Sequence, residues 1–207
     1  MNTQLYPLAF LLSLLIILTS GCTALIKPRV KTEVRSLKAG EYALDSTHAS
    51  LTFKVKHLDL SWYVGRFNTF DASLQFNPQA LEDTKLEAIV EMASIDSNDS
   101  KLEETLRGGS WFDVEQYPQA YFSTQSVDVL DDDSFIFTGL LDWRGQTHPV
   151  QLKAVFLGGA NNMLTGKYTV GFTASGELDR TLFGVDQYTG LVGETIYLSV
   201  EAEFQKQ

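Results

Sequence analysis

The sequence predicts an all-β protein: a single eight-stranded antiparallel barrel with one short helix set between strands. Three observations carry that expectation. Eight segments alternate apolar and polar residues with the two-residue period of a half-buried strand. Phe and Tyr together number 21 against three Met, a balance that suits pleated surfaces better than helical bundles. Turn residues, such as DDDS from 131 and GGANN from 158, separate the segments. Eight long strands, each with one oily face, can close on themselves, and closure removes the exposed edges an open sheet would have to protect.

The chain opens with an apolar run from Leu8 to Leu18, broken only by Ser13 and followed by Thr19, Ser20 and Gly21. A run this short does not comfortably cross a bilayer core of ~30 Å, but it matches the apolar centre of a secretory signal. Residues 1–21 are therefore expected to be a signal peptide. Cys22, the only cysteine, follows directly in a setting that resembles the cleavage box of bacterial lipoproteins. That resemblance implies an acylated Cys22 and a membrane-anchored, exported protein; Thr23 in place of Asp implies the periplasmic face of the outer membrane. A single thiol allows no disulfide within the chain.

Residues 22–40 are expected to form the lipidated cysteine and a linker. Between 23 and 39 there are five basic residues (Lys27, Arg29, Lys31, Arg35, Lys38) against Glu33 alone, whereas the rest of the chain carries 11 basic and 25 acidic residues. A basic strap suits anionic headgroups. Treated as a flexible 17-residue linker, it would reach roughly 20 to 25 Å. The acidic body, residues 41–207, argues against a nucleic-acid partner, because it would repel phosphates.

Within the body, Leu51, Phe53 and Val55 alternate with Thr52, Lys54 and Lys56, and Phe70, Ala72, Leu74 and Phe76 with Asp71, Ser73 and Gln75. Leu86 to Met92, Ala120 to Leu130, Phe135 to Trp143 and Val150 to Phe156 continue the pattern. Tyr168 to Leu178 and Ile196 to Phe204 complete the set of eight. The break SNDSKLEETLRGG predicts a helix: Ser100 and Glu103 have capping-box spacing, Leu102 and Leu106 share a face, and Gly108-Gly109 stops it. With Trp111 and Phe112 behind it, this helix would plug one end of the barrel or gate it.

His57 shares parity with Leu51, Phe53 and Val55 and is expected to point inward, either as a core hydrogen-bonder or as a polar contact to a ligand. His48 is expected to point outward, so the two cannot share a metal. His148 falls in an expected turn, and no thiol completes a zinc set, so no metal is assigned. With no G-x-S-x-G, no phosphate loop and no second histidine beside His57, an enzyme is not expected, and no cofactor is assigned beyond a bound lipid or quinone. An eight-stranded barrel is either filled by its own side chains or leaves room for one ligand, and alternation does not distinguish these. If hollow, it would be lined by Phe53, Phe70, Phe137, Trp143, Tyr168 and Phe172, with Arg66, Arg144 and Arg180 placed to meet a head group or the many carboxylates.

Five separated stretches carry a family resemblance: YALDSTHASLTFKVKHL, VGRF at 64–67, LRGGSWFDVEQYPQAYFST, TGLLDWRGQTHPVQL and LDRTLFGV, in matching order from about Tyr42 to Phe204. Together they resemble the YceI-like lipid- and polyisoprenoid-binding family. The resemblance implies an extended lipocalin-like barrel whose apolar cavity holds an isoprenoid chain, such as that of a quinone or a polyprenyl phosphate, for storage, transport or sensing. Its inward histidine falls on His57, and its aromatic step on Trp111, Phe112 and Asp113. Its aromatic-proline pair falls on Tyr117-Pro118, and its turn on Asp179, Arg180, Phe183 and Gly184. Thr105 stands before Leu106, where the family often has a histidine. The alternative is a filled barrel acting as a non-catalytic envelope interaction protein; a second copy of the chain is the further partner considered.

Overall fold

The computed structural model describes residues 28–207; the expected signal peptide and Cys22 lie outside the described residues. The sheet closes as expected. Its ten strands are β1 (Gly40–His57), β2 (Ser61–Phe67), β3 (Phe70–Phe76), β4 (Lys85–Glu91), β5 (Ile95–Asp96), β6 (Gln119–Val129), β7 (Ser134–Trp143), β8 (Gln146–Asn161), β9 (Tyr168–Asp179) and β10 (Thr195–Lys206). They build eight staves, because β2 and β3 lie end to end along β1, and β5 continues the line of β4 beside β2. Antiparallel pairing runs through β6, β7, β8 and β9 to β10, which returns to β1 and completes the ring.

Two irregularities set which side chains point inward. Between Leu44 and Ala49, β1 leaves its register with β10: Leu44 faces Phe204 while Ala49 faces Ala202. The odd number of inserted residues shifts the inward parity from Tyr42 and Leu44 to Leu51, Phe53 and Val55. β8 bulges likewise at Leu157, between the pairs Phe156–Phe172 and Gly158–Gly171. His148 is in β8, paired with Leu141, and not in a turn; its neighbours Thr147 and Pro149 are exposed while it meets the Phe183 ring at 5.1 Å.

The interior falls into two halves. The lower half, at the end where β1 begins, is filled by nine aromatic side chains: Tyr42, Phe76, Phe122, Phe135, Phe137, Phe156, Tyr168, Phe172 and Phe204. Phe172 sits between Phe156 and Phe204, with ring centroids 5.5 and 6.2 Å away. The strap closes this end. Lys31 and Gly159 exchange both backbone hydrogen bonds, and Val34 and Leu37 are buried in the lower core. A Cβ on Gly159 would lie 2.7 Å from Leu37, so only glycine lets the strap lie this close. Residues 28–39 are thus part of the fold, which corrects the expected flexible linker: Val34 and Leu37 supply apolar anchors that the basic composition concealed.

The upper half is held by Leu51, Phe67, Met92, Ile95, Leu106, Phe112, Ala120, Trp143, Phe183 and Val185. Leu141, Leu178 and Val200 touch both halves and mark the boundary.

Inward parity in β9 is directly testable. Phe172→Ala should lower the unfolding free energy by about 3 to 5 kcal/mol, whereas Thr173→Ala, on the outer face, should cost less than about 1 kcal/mol. Urea denaturation of the two variants measures this; equal losses would overturn the assigned faces.

Candidate functional site

Above the boundary lies a cavity of about 520 Å³ that opens at the end of the barrel opposite the strap. Its wall is built from the upper inward positions of the staves: Leu51, Phe53 and Val55 from β1, Leu141 and Trp143 from β7, Leu178 from β9, and Ile196 and Leu198 from β10. Many of these, such as Phe53, Leu141, Leu178, Ile196 and Leu198, keep intermediate exposure although they point inward. They face the hollow, and the surface there is apolar.

Three loop elements raise the wall around the mouth. The first is the helix α1 (Ser100–Arg107), which contributes Leu102, Thr105 and Leu106. Its cap is Asp99 in place of the expected Ser100: the Asp99 carboxylate accepts from the amides of Lys101 and Leu102 at 3.0 and 3.2 Å. Glu103 completes the turn by accepting from the Ser97 amide at 2.9 Å. The Arg107 guanidinium donates to the carbonyls of Ala93 and Ile95 at 2.8 and 3.0 Å, tying the helix to the β4–β5 connection. So α1 contributes to the wall of the hollow and does not fill it.

The second element is the aromatic step after the helix. Phe112 is buried between Phe67 and Trp143, and Trp111 stacks on Tyr188 at 6.2 Å. Tyr188 belongs to the third element, residues 184–193, which returns over the mouth. Gly184 starts that loop at φ 73°, in the left-handed region that favours glycine.

Arg180 holds this loop. It is 2 % exposed, and its guanidinium donates to the carbonyls of Val185, Val192 (2.9 Å) and Gly193 (2.8 Å). Burial pushes its pKa below the usual arginine range, with Glu194 the strongest opposing charge. Arg144 likewise donates to the carbonyls of Gly184 and Gly109. Neither arginine pairs with a carboxylate; among the described residues the ion pairs are His48–Asp45 and Arg107–Glu103. Arg66, paired with Thr52 on the outer surface, does not reach the hollow.

Of the residues expected to line a cavity, Phe53, His57, Trp111, Phe112, Trp143 and Arg180 do so. Phe70 and Phe183 pack in the upper core behind the wall. Phe137, Tyr168 and Phe172 are in the filled lower half, so their expected place in the lining is corrected: they point inward, but at a level where aromatic rings occupy the whole section. His57 keeps its inward parity yet is exposed, because β1 ends there at the mouth, bridged to Val192. Lining residues not foreseen include Tyr63 from β2, Thr105 from α1, and Tyr188 and Val192 from the 184–193 loop, elements with no clean alternation.

Polar groups in the wall are few. The Tyr63 hydroxyl donates to the Ser97 carbonyl at 3.0 Å, and the Thr105 hydroxyl to that of Lys101. The Trp143 indole N–H, in contrast, is buried without a partner, the only such buried polar atom among the described lining residues. Elsewhere, Asp45, His48 and Glu203 bring ligand atoms within 4.8 Å of one another beside the break in β1. His48 pairs with Asp45 at 3.0 Å. Hydrogen bonds, first from Thr47, hold the Asp45 carboxyl at about 2, and the bond to Asp45 raises the pKa of His48.

Known proteins share this architecture. The crystal structure of BcnA from Burkholderia cenocepacia superposes with a TM-score of 0.70 at 20 % identity, covering 77 % of this chain and 98 % of that one. A polyisoprenoid-binding domain from Saccharophagus degradans matches with a TM-score of 0.60 at 12 % identity, covering 82 % of this chain and 100 % of that one. In sequence, a UPF0312 protein of Vibrio parahaemolyticus is 30 % identical over 170 residues, 81 % of this chain and 87 % of its own. The model of the YceI-like domain matches residues 42–204, from the start of the first stave to the end of the last, and the chain belongs to that family.

Proposed function

We propose that this chain is an exported, lipid-anchored carrier that holds one isoprenoid lipid in the upper half of its barrel. The observation that carries the proposal is the open, apolar 520 Å³ hollow above a filled floor. The polyisoprenoid-binding domain of the same fold supports the choice of ligand. Burying a few hundred Å² of such a chain at ~25 cal/mol per Å² gives on the order of 10 kcal/mol before association costs, which is ample driving force. The filled lower half rules the bound length: at the packing density of protein interiors, 520 Å³ takes about four isoprene units. A longer chain leaves its remainder outside the mouth.

The head group follows from the polar inventory. A phosphate would need a cation, but the guanidinium of Arg180 is committed to three loop carbonyls. The wall of the hollow is otherwise apolar, with the Tyr63 and Thr105 hydroxyls already donating to backbone carbonyls, which suits a neutral head group such as a quinone ring. Of the two ligand classes the family resemblance implies, the quinone type is favoured. Exchange through an open mouth suits storage or transport, and the absence of any acid–base pair in the hollow suits binding without chemistry.

Native mass spectrometry of the protein purified from its own envelope, followed by lipid extraction, should find one isoprenoid per chain; an empty barrel would refute the carrier role. In titrations, affinity should rise with tail length to about four units and then level off. Leu141→Ala, which deepens the floor, should move that plateau up by about one unit. His57→Phe, at the exposed mouth, should alter the affinity for a short-chain quinone and for a plain isoprenoid hydrocarbon alike by less than about 1 kcal/mol.

A further inference from the structure

The two ends of the barrel differ in a way that ligand binding does not require. At the closed end, four apolar side chains stand in solvent: Val30 (53 % exposed) on the strap, beside Leu157 (56 %) at the β8 bulge, and Met163 and Leu164 (70 and 79 %) at the β8–β9 turn. Strap and turn are joined by the Lys31–Gly159 backbone pair and by the Lys38 ammonium, which donates to Asn161 at 3.3 Å. Arg29, Lys31, Arg35, Lys38 and Lys167 surround this corner, with Glu33 the one acidic residue of the strap. The acidic groups nearest this corner are Glu201 and Glu203 of β10, which share a groove with Val30 and Leu157, and Asp133, whose carbonyl accepts from the Phe156 amide; Glu82, Asp83, Asp131 and Asp132 belong to the β3–β4 and β6–β7 connections. Over its connections (28–39, 77–84, 130–133 and 162–167) the closed end carries five basic side chains against six carboxylates, with all five basic ones gathered on the strap and the β8–β9 turn, and the mouth is more acidic. The segments 58–60, 92–118, 144–145 and 179–194 carry ten carboxylates against four basic side chains.

We infer that the strap and the β8–β9 turn form a face that rests on an anionic bilayer, so that the barrel stands on its closed end with its mouth directed away from the membrane that carries it. Apolar side chains inside a ring of lysine and arginine are what an interfacial contact needs: the former enter the headgroup boundary and the latter meet lipid phosphates, each worth about 1 kcal/mol near an anionic surface. The mouth also exposes apolar side chains, Leu60 (84 %) and Leu191 (53 %) among them, but ten carboxylates around them oppose approach to the same surface. Reach agrees with charge. From Cys22 to Pro28 there are six residues, which span at most roughly 20 Å, whereas β1, with 18 residues tilted as barrel strands are, separates the two ends by about 45 Å. A chain held at Cys22 therefore keeps its closed corner at the bilayer. Ligand exchange, on the carrier proposal, then takes place through the compartment and not by lateral entry from the carrying membrane.

Two single tryptophan probes test this in the full chain reconstituted into phosphatidylglycerol vesicles whose acyl chains are brominated. Leu164→Trp and Leu60→Trp both alter highly exposed positions, and each is read as added emission over the parent, whose Trp62, Trp111 and Trp143 all belong to the upper half. The Leu164→Trp increment should lose roughly half its intensity to bromine while the Leu60→Trp increment is unaffected. Adding Arg29→Glu and Lys31→Glu, or replacing phosphatidylglycerol by phosphatidylcholine, should relieve that quenching. Quenching of Leu60→Trp alone would place the mouth on the bilayer, and quenching of both or of neither would likewise overturn the inference. Isoprenoid content, read separately by extraction, reports on the carrier proposal and not on this one.

Discussion

Everything in this molecule depends on the pairing of β10 with β1, because an interior exists only once the ring closes. Closure fixes the circumference but not the contents. Which level is solid and which is hollow follows from the side chains that the registers bring to the same height. Nine aromatic rings meet in the lower half. Ala88 and Ala174 lie at the top of that filled level, and higher up the inward positions include Ala120 and Gly176 beside aliphatic residues. Small residues also let large ones cross the section: a Cβ on Gly139 would lie 2.4 Å from the Phe122 ring, and one on Gly176 would lie 2.7 Å from Leu152. The floor of the cavity is thus built by pairing a ring with a glycine on the next strand.

That explains how far the sequence can be read. Alternation is local, so the eight staves and the faces of Phe172, Leu198 or Trp143 are visible in it. Level is not local. Phe137, Tyr168 and Phe172 look like cavity liners by parity, and only the pairings of β7 with β6 and of β9 with β10 place them below the floor. β2 went unseen because Trp62 and Val64 put apolar groups on the outer face while Gly65 holds an inward position against the Phe53 ring, which blurs the two-residue period. The break after Leu44 has no composition signal either, since Asp45-Ser46-Thr47-His48 reads as part of a polar strand end.

Of the features the family resemblance assigns, the Arg180 turn is the one whose role the geometry most changes. A buried guanidinium in an acidic protein suggests a carboxylate or a ligand anion as its partner. Here it instead satisfies the carbonyls of Val185, Val192 and Gly193, in a loop that bonds to a strand only where residues 191–193 meet the end of β1. Arg107 and Arg144 do the same for the helix connection and for the Gly108-Gly109 turn. The mouth elements make few ladder hydrogen bonds and must place their remaining backbone oxygens elsewhere.

Three planar forks, each bonding two or three carbonyls, brace the mouth: Arg107 ties α1 to the β4–β5 connection, Arg144 ties the Gly108-Gly109 turn to Gly184, and Arg180 holds the 184–193 loop from the wall of the hollow. The alternative brace is a packed core beneath the loops, and that would remove the cavity. Lysine would not substitute, since a single ammonium on a flexible stem cannot hold divergent carbonyls in a fixed plane. The mouth can therefore stay ordered while the space under it stays empty of side chains, with the aromatic lower half supplying the hydrophobic stability that the hollow upper half forgoes. In this barrel, rigidity at the binding end comes from charge-assisted hydrogen bonds to backbone, and stability comes from the opposite end.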